Sequence, residues 1–240
     1  MSKGRSKWKK TVNVICVFLI ALVLITGYYT VTNSKNSVPN FNPNNMEKPP
    51  TSNGLSTNNL IILGICTFVL ITSLSIIVDS SSSVYKTAPM FFITNTKVTI
   101  NLENTTLTYG SNILLSIKGT NEWGNSGSNG GNLELNATNQ KLSGDIILDS
   151  LSSVDINLKS STLTSTVNNN KKDKEVNISI DKNSKWNVEG NSYINTLKLI
   201  NNDLNLIKDN GHNVYYDKEA NEWLDGKTYT LQDGGKLIPR

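Results

Sequence analysis

Cysteine is nearly absent: the 240-residue chain has two, Cys16 and Cys66, and none after Tyr85. The C-terminal stretch therefore has neither a disulfide framework nor a thiolate metal site. Both cysteines lie in apolar runs. The residues before them, Ile15 and Ile65, are not the small residue that a bacterial lipobox needs, so both are read as packing residues. Histidine is rarer still. The single one, His212, sits between Gly211 and Asn213 and is expected in a turn, not as a general base. Beyond Tyr85 the only arginine is Arg240. No concentrated basic face is present there either, since 16 Lys/Arg are interspersed with 17 Asp/Glu. That near-neutral balance excludes nucleic acid as the partner. The net charge of +4 reports instead a basic N-terminal stub, residues 1–10, which holds Lys3, Arg5, Lys7, Lys9 and Lys10.

Charge is also missing from two long runs. Residues 11–31 carry none, and Val14 to Ile25 is almost continuously aliphatic. A hydrocarbon core of ~30 Å takes about 20 helical residues, so this run is long enough to span a bilayer. Trp8 and the pair Tyr28/Tyr29 bracket it at the interfacial positions, and the basic stub in front should stay cytoplasmic. Thr26-Gly27-Tyr28-Tyr29 is a poor signal-cleavage site, so an uncleaved signal-anchor is expected. Residues 32–59 hold four of the six prolines among Asn, Ser and Thr and should form an extended tether. The second uncharged run, Leu60–Val78, has the length and hydropathy of another transmembrane helix. Its wealth of β-branched residues suits buried strands as well.

From Pro89 onward the pattern changes. Val98-Thr-Ile100-Asn-Leu102, Val154-Asp-Ile156-Asn-Leu158 and Val176-Asn-Ile178-Ser-Ile180 alternate apolar and polar, which buries one face of a strand and wets the other. Val98–Thr108 (VTINLENTTLT) and Val154–Thr164 (VDINLKSSTLT) form an internal repeat. With Val98, Leu115, Leu133, Val154, Val176 and Leu197 as markers, strands recur after 17, 18, 21, 22 and 21 residues with no amphipathic helix between. This spacing points to a mainly β domain over residues 85–240, built as a right-handed parallel β-helix. A β-sandwich is the alternative. Asn-rich turns that stack along such an axis make the high asparagine content structural.

Several segments carry a resemblance. They are Ala88-Pro89-Met90-Phe91-Phe92-Ile93-Thr94-Asn95-Thr96, Trp123-Gly124 with Ser126-Gly127-Ser128-Asn129-Gly130-Gly131, and Leu142-Ser143-Gly144-Asp145-Ile146. With the tail Asn210-Gly211-His212-Asn213-Val214-Tyr215-Tyr216-Asp217, Trp223-Leu224 and Gly226 to Leu231, ending at Gly234-Gly235-Lys236-Leu237, residues 85–240 resemble the C-terminal coils of bacterial right-handed β-helix surface proteins. These are described as carbohydrate-binding-domain-containing or adhesin-like. The resemblance implies display outside the cell and a glycan or cell-wall polymer as ligand, and brings no catalytic residue with it. Members of that family have more N-terminal coils, where this chain has Leu60–Val78.

Catalysis is not expected. A lyase of this fold type would need an arginine near a metal-bound uronate, and a hydrolase two carboxylates ~5–10 Å apart. Asp145, Asp149 and Asp155 are the best cluster available, and read as solvated. No metal or cofactor is implied. For sugar binding, exposed aromatics matter most. Trp123, in the loop Asn121–Gly131, is the leading candidate, followed by Trp186, Tyr193 and Trp223; each could instead cap the end of the strand stack. Lys171, Lys172, Asp173 and Lys174 read as a solvated turn. Two function classes follow: a membrane-anchored, surface-displayed binding or adhesive module, or a two-pass structural membrane protein without a ligand. If both uncharged runs span, the β-domain is cytoplasmic; if only the first does, it is outside.

Overall fold

A computed structural model describes residues 68–171 and 175–240, all of which fall in one compact unit. The stub, the expected anchor at 11–31, the tether at 32–59 and residues 60–67 lie outside the described residues. The described chain is mainly β, with parallel sheets and three single-turn 3-10 segments.

The principal sheet has six strands, all parallel: β1 (Phe68–Thr72), β4 (Lys97–Glu103), β7 (Asn132–Thr138), β10 (Ser153–Lys159), β12 (Glu175–Ile180) and β15 (Thr196–Leu199), hydrogen-bonded in that order. A second group follows these strands, after a corner of two to four residues in five cases and after the two 3-10 segments of residues 200–206 in the last. It comprises the pair β2 (Ser75–Ile77) with β5 (Thr106–Thr108), and the four-stranded sheet β8 (Lys141–Ser143), β11 (Thr162–Ser165), β13 (Lys185–Val188) and β16 (Ile207–Lys208). A third group joins β3 (Phe91–Ile93), β6 (Ile113–Ile117) and β9 (Asp145–Leu148). It continues across a parallel bridge from Ile146 to Val167 into β14 (Ser192–Ile194), β17 (Val214–Tyr216) and β19 (Lys236–Pro239). Only β18 (Tyr229–Thr230), beside β19, pairs antiparallel among the described residues.

Alternation explains the core. In the principal sheet Val98, Leu133, Val154 and Val176 stand in one cross-strand row, and Ile100, Leu135, Ile156, Ile178 and Leu197 in the next. All nine are buried. The second group sends in Leu142, Leu163, Trp186 and Ile207, and the third Phe91, Leu115, Ile146, Val167, Ile194 and Val214. Each buried aliphatic side chain contributes roughly 1.5–3 kcal/mol, so the ladder as a whole holds the sheets together. The inward set at Val98/Ile100, Val154/Ile156 and Val176/Ile178 is the expected one.

Asparagine and serine make the corners. Ser73, Asn104, Asn139 and Ser160, each directly after a principal-sheet strand, have φ of 49–51°. This left-handed conformation costs most side chains about 1–2 kcal/mol, and Asn adopts it most readily after glycine. It turns each N–H toward the next strand: Ser73 donates to the Glu103 carbonyl at 2.8 Å, Asn104 to Thr138 at 3.2 Å and Asn139 to Lys159 at 3.0 Å. Corner asparagines are structural, as expected.

Two expectations are corrected. The run Leu60–Val78 is not a helix where it is described. Phe68–Thr72 and Ser75–Ile77 are strands β1 and β2, and Ile71 joins the core. Its β-branched residues favour a pleated surface, and a serine corner at Ser73 separates the two strands. No helix among the described residues is long and apolar enough to cross a membrane. Among the described residues the first strand is therefore β1, from Phe68. The second correction concerns Leu115, which belongs to β6 in the third group. The neighbour of Val98 is Leu133, because the step from β4 to β7 also contains the loop 118–131.

Candidate functional site: the outer groove of the principal sheet

The residues between the buried ones face outward on the same sheet. One row runs Thr99, Glu134, Asp155, Asn177, Thr196; the next runs Asn101, Asn136, Asn157, Ser179, Lys198. Neighbouring strands lie ~4.8 Å apart, which brings amides of successive strands within hydrogen-bonding reach. Asn157 donates through Nδ2 to Asn136 Oδ1 at 2.8 Å, and Asn136 to Asn101 Oδ1 at 2.9 Å. In the other row Asn177 donates to Asp155 Oδ1 at 2.7 Å and Thr99 to Glu134 Oε2 at 3.1 Å. Asn177 also reaches Glu175 Oε1 at 2.9 Å.

These side chains line a groove of about 400 Å³, formed by Glu134, Asp155, Asn157, Glu175, Asn177 and Lys198 with Ser179 and Thr196. It adjoins a second hollow of about 490 Å³ toward the strand ends, which shares Asn157, Ser179 and Lys198 and adds the exposed Ile200, with the buried Leu158, Ile180 and Leu199 beneath. Polar groups locked by their neighbours, with one exposed apolar side chain at Ile200, suit the hydroxyls on a sugar's rim and the C–H bonds on its faces. Chemically the groove offers fixed acceptors at Glu134, Asp155 and Glu175, amides of both polarities, and one cation. Glu134 and Asp155 are exposed. No group of His, Cys, Asp and Glu among the described residues could hold a metal ion.

The aromatic candidates are scattered. Trp186 is fully buried in β13 and its Nε1 donates to the Ser165 carbonyl at 3.2 Å, so it presents no ring face outside. Tyr193 is 8% exposed: Tyr215 stacks on it with centroids 4.6 Å apart and planes 6° from parallel, while Lys171 Nζ sits 4.8 Å over the ring. Trp223 donates from Nε1 to the Leu197 carbonyl at 3.0 Å; with Asn221 Oδ1 accepting from Leu197 N at 2.7 Å, it covers the free edge of β15. Trp123 is half-buried in the loop 118–131, with Nε1 buried and unpartnered. That loop is pinned by Asn129, which donates to the carbonyls of Thr120 and, at 2.5 Å, Trp123. None of the four lines the groove.

Asp145, Asp149 and Asp155 do not converge. Asp149 caps a turn, accepting from Gly119 N at 2.8 Å, Leu151 N at 3.1 Å and Ser152 Oγ at 2.6 Å. Asp145 lies in β9 and accepts from Thr166 N at 3.3 Å. Asp155 is on the principal sheet. His212 is in a turn, its N–H donating to the Asp209 carbonyl at 2.8 Å. The groove residues Glu134, Asn136, Asn157, Asn177 and Lys198 were not singled out from sequence, although the signal was present: they are the polar positions of the alternating segments.

No protein-family model, curated protein or solved structure matches this chain.

Proposed function

We propose that this chain is a membrane-tethered, cell-surface module that binds a glycan in the outer groove of the principal sheet and performs no catalysis. In this reading the three groups of parallel strands are the faces of a right-handed parallel β-helix akin to the adhesin-like surface proteins that the sequence resembles. The observation that carries it is the ladder of mutually hydrogen-bonded amides and carboxylates, Asn136–Asn157 and Asp155–Asn177, with the exposed Ile200 toward the strand ends. Preorganised polar groups lose little entropy when a ligand arrives. The absence of catalysis fits the carboxylates, which are exposed and already accept from Thr99 and Asn177.

Tethering rests on the uncharged run at 11–31 behind a basic stub, which would leave the β-domain outside the cell. It is supported by the end of the domain that follows the tether. Leu70, Leu74 and Ile77 there are 60%, 49% and 65% exposed, an apolar surface suited to lie near a bilayer. The full chain in neutral-detergent micelles, applied to a glycan array, should retain a defined glycan class. The double substitution Asn157→Ala, Asn177→Ala should weaken that binding about tenfold, ~1.4 kcal/mol, with the unfolding midpoint unchanged. Retention unaltered by the double substitution but lost with Trp123→Ala would move the site to the loop and refute the groove.

A further inference from the structure

A different face of the domain is cationic. On the four-stranded sheet the inward residues are Leu142, Leu163, Trp186 and Ile207, so the outward ones are Lys141 and Ser143, Thr162 and Thr164, Lys185 and Asn187, and Lys208. These four strands contain three lysines and no Asp or Glu. The principal sheet, by contrast, carries Glu103, Glu134, Asp155 and Glu175 against Lys97, Lys159 and Lys198.

The three lysines are exposed and have no counter-ion: the ion pairs among the described residues are Lys218–Glu219 and Lys227–Asp225. Carboxylates do border this face, but the corners occupy them. Asp181 accepts from Ser160 N at 3.1 Å, Asn183 N at 3.1 Å and Ser184 Oγ at 2.6 Å. Asp209 is buried and accepts from Asp233 N at 2.8 Å and Gly235 N at 2.6 Å. Asp145 faces Thr166 N, and Glu189 accepts from Asn210 Nδ2 at 3.5 Å.

Register sets the spacing of the cations. Lys141 and Lys185 flank Thr162 in one row, two strands apart and so roughly 10 Å; Lys208, beside Asn187, is one strand and two residues from Lys185, roughly 8 Å. Hydroxyl and amide groups fill the gaps, and Asn187 Nδ2 donates to Thr164 Oγ1 at 3.1 Å. We propose that this face, apart from the groove, docks an acidic polysaccharide whose repeating carboxylates meet Lys141, Lys185 and Lys208 while its hydroxyls meet Ser143, Thr162, Thr164 and Asn187. The charge complementarity is one-signed over the whole sheet. Sugar is favoured over nucleic acid because no aromatic side chain faces outward here for base stacking, and over lipid because no apolar one does.

The test uses the full chain in neutral-detergent micelles with polygalacturonate as probe, neutral dextran as reference and duplex DNA as competitor. Expected are binding to polygalacturonate and not to dextran, weakening as salt rises, and a drop of at least about tenfold on Lys141→Gln, Lys185→Gln, Lys208→Gln, ~1.4 kcal/mol. The matched triple Lys86→Gln, Lys97→Gln, Lys236→Gln, which removes equal charge elsewhere, should bind as the native chain does, and so should Asn157→Ala, Asn177→Ala. Thermal unfolding of both lysine triples should match the native chain. Equal losses in the two triples, tighter binding of DNA than of polygalacturonate at equal charge, or no binding by the native chain would each overturn the proposal.

Discussion

Replacing Asp209 with asparagine should detach the C-terminal tail, and its size can be worked from three hydrogen bonds. Asp209 is completely buried. Its Oδ1 accepts from Asp233 N at 2.8 Å, and its Oδ2 from Gly235 N at 2.6 Å and Gly211 N at 3.1 Å. Gly235 is required for this approach, since a Cβ there would stand 2.0 Å from the His212 carbonyl oxygen. Asparagine has one acceptor oxygen in place of two. Whichever way its amide turns, at least one buried N–H meets another donor, at a cost of roughly 1–3 kcal/mol, and the remaining bonds lose their charge assistance. The total is roughly 2–4 kcal/mol, a large share of the stability of an ordinary domain.

The pH dependence has a definite sign. Burial pushes the Asp209 carboxyl up, but the N–H groups of Asp233, Gly235 and Gly211 more than offset it and hold it below the ordinary carboxylate value. A depressed native pKa means that the carboxylate stabilises fully above the unfolded value near 3.9 and loses that contribution as pH falls toward the native one. The gap between native chain and Asp209→Asn should therefore be full at neutral pH and narrow below about pH 4. Denaturant titration followed by tryptophan fluorescence at several pH values reads it. A gap under ~0.5 kcal/mol at neutral pH, or one that stays constant into acid, refutes the reasoning.

Three further outcomes are expected. Ile156→Ala removes a fully buried side chain from the middle of its row and should destabilise by roughly 2–5 kcal/mol in the same titration, whereas Asn157→Ala, next in sequence but facing the groove, should stay within ~1 kcal/mol. Trp123→Phe removes a buried N–H that has no partner and should leave stability within ~1 kcal/mol, while Trp186→Phe also loses the bond to Ser165 and should cost more, about 1–3 kcal/mol. Asn139→Ala places a Cβ residue without a side-chain amide at φ 51° and should cost about 1 kcal/mol, with Asn139→Gly restoring most of it; thermal melts of the pair would show equal midpoints if the corner conformation were not the cause.

Much of this was legible along the chain because alternation and corner chemistry are local. Val-x-Ile-x-Leu puts three residues on one face whatever the partner strand is, so the buried rows through Ile100, Ile156 and Ile178 follow from composition and spacing alone. The preference of Asn104 and Asn139 for positive φ belongs to the residue itself. Partnership does not. Leu115 looks like the strand marker between Val98 and Leu133, yet it faces inward from another sheet, because the long loop after β6 carries the chain around before Leu133 can pair with Val98. The uncharged run ending at Val78 satisfies a bilayer by length, and only the pairing of Phe68–Thr72 with Thr99–Glu103 makes its described part strand. Trp186 could be surface or core from its neighbours in sequence; the Leu142–Leu163–Ile207 row draws it in. The groove and the lysine face depend on the same step. Asp155 becomes the neighbour of Glu134 and Asn177, and Lys185 that of Thr162, only when strands some 21–23 residues apart stack in register, a choice set by packing across the sheet and not by any one segment.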